Sequence, residues 1–150
     1  MKANCSLGGK VTIMHARSIN VFFYGLFMDV GALGANGFHP VNGRQACVQG
    51  MAIQIGRRAT LIPDPAKCVY GFVIELSHDE VERLYAEPSV AAYRPEAVLA
   101  QLADRSCIPA LCFNLPLPND GVEANPEYAE KLREVANRLG LPADYVASIL

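Results

Sequence analysis

The sequence has no long hydrophobic run. Its richest apolar stretch, Val21–Met28, is closed by Asp29, far short of the ~18–20 residues that a helix needs to cross a bilayer. No secretory signal is visible either: Lys2 is followed by Cys5-Ser-Leu-Gly-Gly rather than by an apolar segment. Residues 1–15, with Gly8-Gly9 and little pattern, are expected to form a loose leader, and 16–150 a single domain. One charge sign is not in surplus. The net charge of −2 over 150 residues provides no global field toward nucleic acid or a membrane. Repeats, heptads and low-complexity segments are missing, which excludes solenoid and coiled-coil architectures.

Ligand spacing for a metal is also lacking. His15, His39 and His78 lie far apart, and Cys107 and Cys112, five residues apart on one strand, fall on opposite faces. No metal and no other cofactor is expected. The glycine-rich stretch Gly31-Ala-Leu-Gly-Ala-Asn-Gly37 contains neither a Gly-Lys-Ser/Thr nor a G-x-G-x-x-G, and Phe38-His39-Pro40 cannot open a helix over a pyrophosphate. Five cysteines are an odd number in a chain large enough to fold without staples. They read as reduced thiols of a cytoplasmic protein, inert where they are buried on strands.

What is present is a core. Apolar residues make up 51% of the chain and charged residues 19%, which excludes disorder. Charge is distributed unevenly: residues 1–60 carry six Lys/Arg against Asp29 alone, and 61–150 carry seven against fourteen acids. Only Arg57-Arg58 are adjacent among the early basic residues, and solvated loops are their simplest reading.

Ile19–Gly25 (INVFFYG) predicts a buried strand, followed by a long irregular loop through Gly37. Ala46–Ile55 and Arg58–Ile62 predict two more, the second stopped by Pro63-Asp64-Pro65. Cys68–Leu76, apolar on both faces, predicts a central strand. Ser77-His78-Asp79-Glu80 matches a capping box, and the helix it opens must end near Ala86, because Pro88 drives Glu87 out of helical conformation. Tyr93–Leu102 and Cys107–Leu115 predict the last strands, the second at an edge or bulge because of Pro109.

After the turn region 116–121, Asn125-Pro126 predicts a helix start. Tyr128, Leu132, Val135 and Leu139 form one apolar stripe, Gly140 closes the helix, and a short helix follows over Pro142–Ile149. Strands, one inserted helix and terminal helices together predict an α+β fold on a mixed or antiparallel sheet. Phe22, Phe23, Val73, Leu84, Leu111 and Leu132 are expected in its core. Residues 120–150 hold six acids against three bases, which argues against a DNA-reading helix pair.

Two places carry candidate chemistry. A strand that stops at Tyr24-Gly25 exposes the next backbone N–H groups, which can cradle an anion or oxyanion, or can simply turn the chain. Glu87, set among apolar residues beside Pro88, is either a carboxylate able to shuttle a proton or a solvated helix end; Glu75 and Glu96 are its competitors.

The sequence resembles the gamma-glutamylcyclotransferase-like family in several ordered motifs. Val21-Phe-Phe-Tyr-Gly-Leu-Phe-Met28 is similar to its opening strand and Tyr-Gly-Ser/Thr-Leu-Met loop, and Val69-Tyr-Gly-Phe-Val-Ile-Glu-Leu76 to its V-x-G strand. The helix ending Arg83-Leu84-Tyr85, then Glu87, then Tyr93-Arg94-Pro-Glu-Ala-Val98 continue the likeness, over about two-thirds of the chain.

The resemblance implies a small barrel-like sheet with flanking helices. It also implies an enzyme that cyclises a gamma-glutamyl amine or dipeptide to 5-oxoproline, releasing the amine. It assigns Glu87 as catalytic acid/base and Tyr24, Gly25, Leu26, Phe27 and Tyr93 as substrate-binding residues. The implied partner is a small molecule bearing a gamma-glutamyl-type group. Leu26 replaces the family's small hydroxyl residue, and Pro88 replaces the glycine after its glutamate. The alternative is a non-catalytic module that binds a small metabolite or protein on the same fold. The terminal helices would cap the barrel or build a homodimer face.

Overall fold

The computed structural model describes residues 17–116 and 124–149. Five strands close into a barrel in the order β1-β3-β2-β4-β5. They are β1 (Ser18–Phe23), β2 (Val41–Ile55), β3 (Ala59–Ser77), β4 (Arg94–Leu102) and β5 (Cys107–Asn114). All neighbours run antiparallel except β1 and β5, whose parallel contact at Val21 and Leu111 closes the ring. The first strand therefore lies inside the sheet, as the apolarity of both its faces requires. Val21 and Phe23 pack toward the helices, while Phe22 and Tyr24 fill the barrel with Val48, Leu61, Val69 and Val73. Small side chains at Ala46, Ala59, Ala100 and Ala110 fit its narrow interior.

The segment after β1 departs from the expected irregular loop. A 3-10 turn, Leu26–Met28, leads into α1 (Val30–Ala35), where the Asp29 carboxylate accepts the Gly31 N–H at 2.9 Å. Asp29 was legible as the end of an apolar run, but equally serves as an N-cap. The second departure concerns Pro63-Asp64-Pro65, which does not stop a strand: β3 continues through it for 19 residues. The β2–β3 register shifts between Gln49 and Met51, beside Gly50. Pro65 falls within 64–67, which have no register partner on β2, so the ladder does not need the N–H it lacks, while Pro63 stays paired with Met51.

Gly71 is fixed by close packing. A Cβ there would lie 2.1 Å from the Phe23 carbonyl oxygen, so only glycine lets β1 and β3 cross so closely. Pro109 pairs across from Leu99 in an unbroken β4–β5 register within the closed barrel, so its strand is neither the edge nor the bulge expected from the proline. Leu111 is half-buried rather than in the core; the other five expected core residues are buried.

The capping box is present in both halves and opens α2 (His78–Ala86). Its Glu80 also accepts the His39 N–H, tying the helix to the chain before β2. Asn125 caps α3 (Pro126–Arg138), and its stripe packs on the barrel: Leu132, Ala129 and Ala136 are buried, with Tyr128, Val135 and Leu139 flanking. The last helix, α4, spans Ala143–Ser148. The expected leader, residues 1–15, and most of the turn at 116–121 lie outside the described residues. Among the described residues no helix is long and apolar enough to cross a membrane.

Candidate active site

A cavity of about 260 Å³ opens where β1 ends. Tyr24, Gly25, Leu26 and Phe27 form one wall, and Tyr85, Ser89, Val90 and Tyr93, from α2 and the chain after it, form another. Arg57, Arg58 and Ala59 enter from the β2–β3 turn, Phe113 from β5 and Tyr128 from α3. Each wall is pinned by hydrogen bonds. The Tyr24 hydroxyl reaches the Phe113 carbonyl at 2.7 Å and Asn114 Oδ1 at 3.0 Å. Asn114 Nδ2 in turn donates to Glu96 Oε1 at 2.7 Å. The Tyr93 hydroxyl donates to the Ala59 carbonyl. Tyr85 stacks on Phe113, with ring centroids 3.9 Å apart and planes 12° from parallel.

The turn at Gly25 is closed from above by α3. A Cβ at Gly25 would lie 2.8 Å from the Tyr128 hydroxyl oxygen, and the Leu26 N–H faces that same oxygen. The Met28 N–H is spent on the Gly25 carbonyl at 3.0 Å. Fewer of this turn's amides are therefore open to a ligand than the strand-to-glycine pattern suggests.

Solved structures share this architecture. The fold resembles that of an uncharacterised human protein, with a TM-score of 0.76 at 17% identity, covering 89% of this chain and 88% of that one. It resembles a gamma-glutamyl cyclotransferase with a TM-score of 0.72 at 17% identity, covering 89% of each chain. A yeast gamma-glutamyl cyclotransferase specific to glutathione gives 0.66 at 14% identity, covering 89% of this chain and 94% of that one. The chain has the gamma-glutamyl cyclotransferase-like fold. No protein-family model and no curated protein matches the sequence.

On this gamma-glutamyl cyclotransferase-like fold the expected site residues separate into two groups. Tyr24, Gly25, Leu26, Phe27 and Tyr93 meet on one cavity, although Tyr24 and Tyr93 are far apart in sequence. Glu87 does not join them. It is the C-cap of α2, with φ −59° and ψ 129°, and it is exposed and outside the cavity's lining residues. Pro88 accounts for the backbone, since the residue before proline is driven to extended conformation just where the helix ends. Glu75 bonds to Ser18 and Asn42 and Glu96 to Asn114, and neither competing carboxylate is among the cavity's lining residues. Among the described residues, the lining includes two arginines and no acid.

Burial pushes the Tyr93 hydroxyl up to about 12, and burial also raises Tyr24, Tyr85 and Tyr128. These four phenols are neutral near pH 7 and act as hydrogen-bond donors or acceptors, not as bases. Burial inside the barrel pushes the Cys112 thiol up to about 12, which keeps it protonated near pH 7. Among the described residues no three His, Cys, Asp or Glu side chains gather to hold a metal ion.

Sequence reasoning missed several contributors, among them Arg58, Tyr128 and Phe113. Arg58 reads as a solvated charge, Tyr128 as part of a core stripe, and Phe113 as a strand residue. The Arg57-Arg58 adjacency at a hairpin was the one signal available.

Proposed function

We propose that the cavity takes the gamma-glutamyl end of a small molecule and that the protein cyclises it to 5-oxoproline, releasing an amine. The observation that supports this reading is the meeting of the Tyr24–Phe27 turn with Tyr93 on one cavity, in a fold shared with gamma-glutamyl cyclotransferases. In this reaction the substrate's α-amine nitrogen attacks its γ-carbonyl carbon and the γ-amide C–N bond breaks. One proton passes from the attacking nitrogen to a carboxylate and then to the departing amine, so a single carboxylate suffices. Glu87 is that carboxylate in this reading, two residues before Ser89 of the cavity wall. Neutral tyrosine hydroxyls and the remaining turn amides orient the acyl group.

The test is 5-oxoproline release from a panel of gamma-glutamyl amines and dipeptides. Glu87→Gln keeps the shape but cannot accept the proton, so turnover should fall by about 10²-fold or more with an unchanged melt. Undiminished activity in Glu87→Gln would overturn the assignment.

A second reading is favoured by one observation, the exposure of Glu87 outside the cavity. In it the protein binds a gamma-glutamyl-type metabolite without converting it. Calorimetric binding of the panel with no 5-oxoproline released would select this reading.

A further inference from the structure

The β2–β3 turn brings positive charge to a cavity whose other walls are aromatic and apolar. Arg58 is half-buried there, and it forms no ion pair with any described residue. The turn that carries it is held at three successive carbonyls. The Asn125 side chain donates to the Arg57 carbonyl at 3.2 Å, the Gly56 N–H donates to that of Arg58 at 3.1 Å, and the Tyr93 hydroxyl donates to that of Ala59. A fixed backbone leaves only the side chain itself to be ordered when the guanidinium binds. No acid stands among the described lining residues, and the planar fork of a guanidinium suits a carboxylate carried by a ligand.

We infer that Arg58 is a specificity-determining residue that pairs with a carboxylate of the bound small molecule. The inference rests on the proposed function for its choice of ligand, but not on any turnover. In a gamma-glutamyl compound the carboxylate could be the α-carboxylate of the glutamyl group or one carried on the amine portion.

Calorimetric titration distinguishes them. Four ligands are compared: gamma-glutamylglycine, gamma-glutamylethylamide (which lacks the amine-side carboxylate), the α-amide of gamma-glutamylglycine, and the doubly capped diamide. Each is titrated into wild type, Arg58→Met, which retains the aliphatic stem, and Arg58→Lys. Arg83→Gln, whose guanidinium lies over Phe38 outside the cavity, controls for lost net charge.

Arg58→Met should weaken gamma-glutamylglycine by about 10-fold or more, Arg58→Lys less, and Arg83→Gln not at all. The diamide should bind wild type and Arg58→Met alike, and whichever single cap abolishes the difference identifies the carboxylate. Equal affinity of wild type and Arg58→Met for gamma-glutamylglycine, with both folded by melt, overturns the inference. If wild type binds none of the four, the gamma-glutamyl reading has failed. Arg58 is then tested by the thermal shift of wild type against Arg58→Met with glutarate and 4-phenylbutyrate and their amides. No carboxylate preference there overturns the inference as well.

Discussion

Tyr24 shows how one side chain serves both the fold and the site. Its ring fills the end of the barrel, and its hydroxyl joins a polar chain that runs through buried Asn114 out to exposed Glu96. Asn114 also accepts the Leu61 N–H at 3.2 Å, and the Thr60 hydroxyl accepts the Leu115 N–H at 2.9 Å, so these buried polar groups are satisfied. Gly71 is the position with least tolerance. Gly71→Ala would force a methyl group against the Phe23 carbonyl, which is backbone and cannot swing away. The expected cost is about 3 kcal/mol or more, the upper end for overpacking, read as a lowered denaturant midpoint. A midpoint equal to wild type would show that β1 and β3 can move apart. Gly71 was visible in the sequence as part of a motif; the reason for it, a contact with β1, was not.

Among the elements, α3 was the most legible. Its cap, its proline at the first turn and its apolar stripe are local, and the helix starts and ends where those signals stand. Leu132 is fully buried under it, so Leu132→Ala should cost about 2–4 kcal/mol in chemical denaturation; no change would mean that α3 is peripheral. The capping box of α2 was equally local.

The electrostatics of the helix starts set an acid limit. For Asp29 the Arg138 guanidinium, 2.9 Å away, is the largest cause of a carboxyl held below its ordinary 3.8. Burial works to raise Glu80, but bonds from the Ser77 and His39 N–H groups outweigh it and hold it below 4.5. Carboxylates depressed by folding stabilise the protein above their unfolded values and lose that contribution as pH falls through the folded ones. The melting temperature should therefore be flat from pH 7 to about 5.5 and decline below about 4.5. Glu80→Gln should melt lower at pH 7 and show a shallower acid decline; an equal slope would show that Glu80 contributes nothing to it.

At the scale of the molecule, the cavity draws on segments that no local pattern connects: the turn after β1, the β2–β3 turn, the end of α2 with the chain after it, β5 and α3. The α+β class, the positions of most strands and the boundaries of α2 and α3 were determined by the sequence alone. Periodicity, caps and proline constraints act over a few residues, and the ordered motifs pointed to the fold. The tertiary structure decided the rest. It carried β3 through two prolines at a shifted register, put Arg58 and Tyr128 on the cavity, and left Glu87 exposed outside it. The physical reason is that a side chain's partners depend on barrel closure and on how helices settle over it, through contacts between residues distant in the chain.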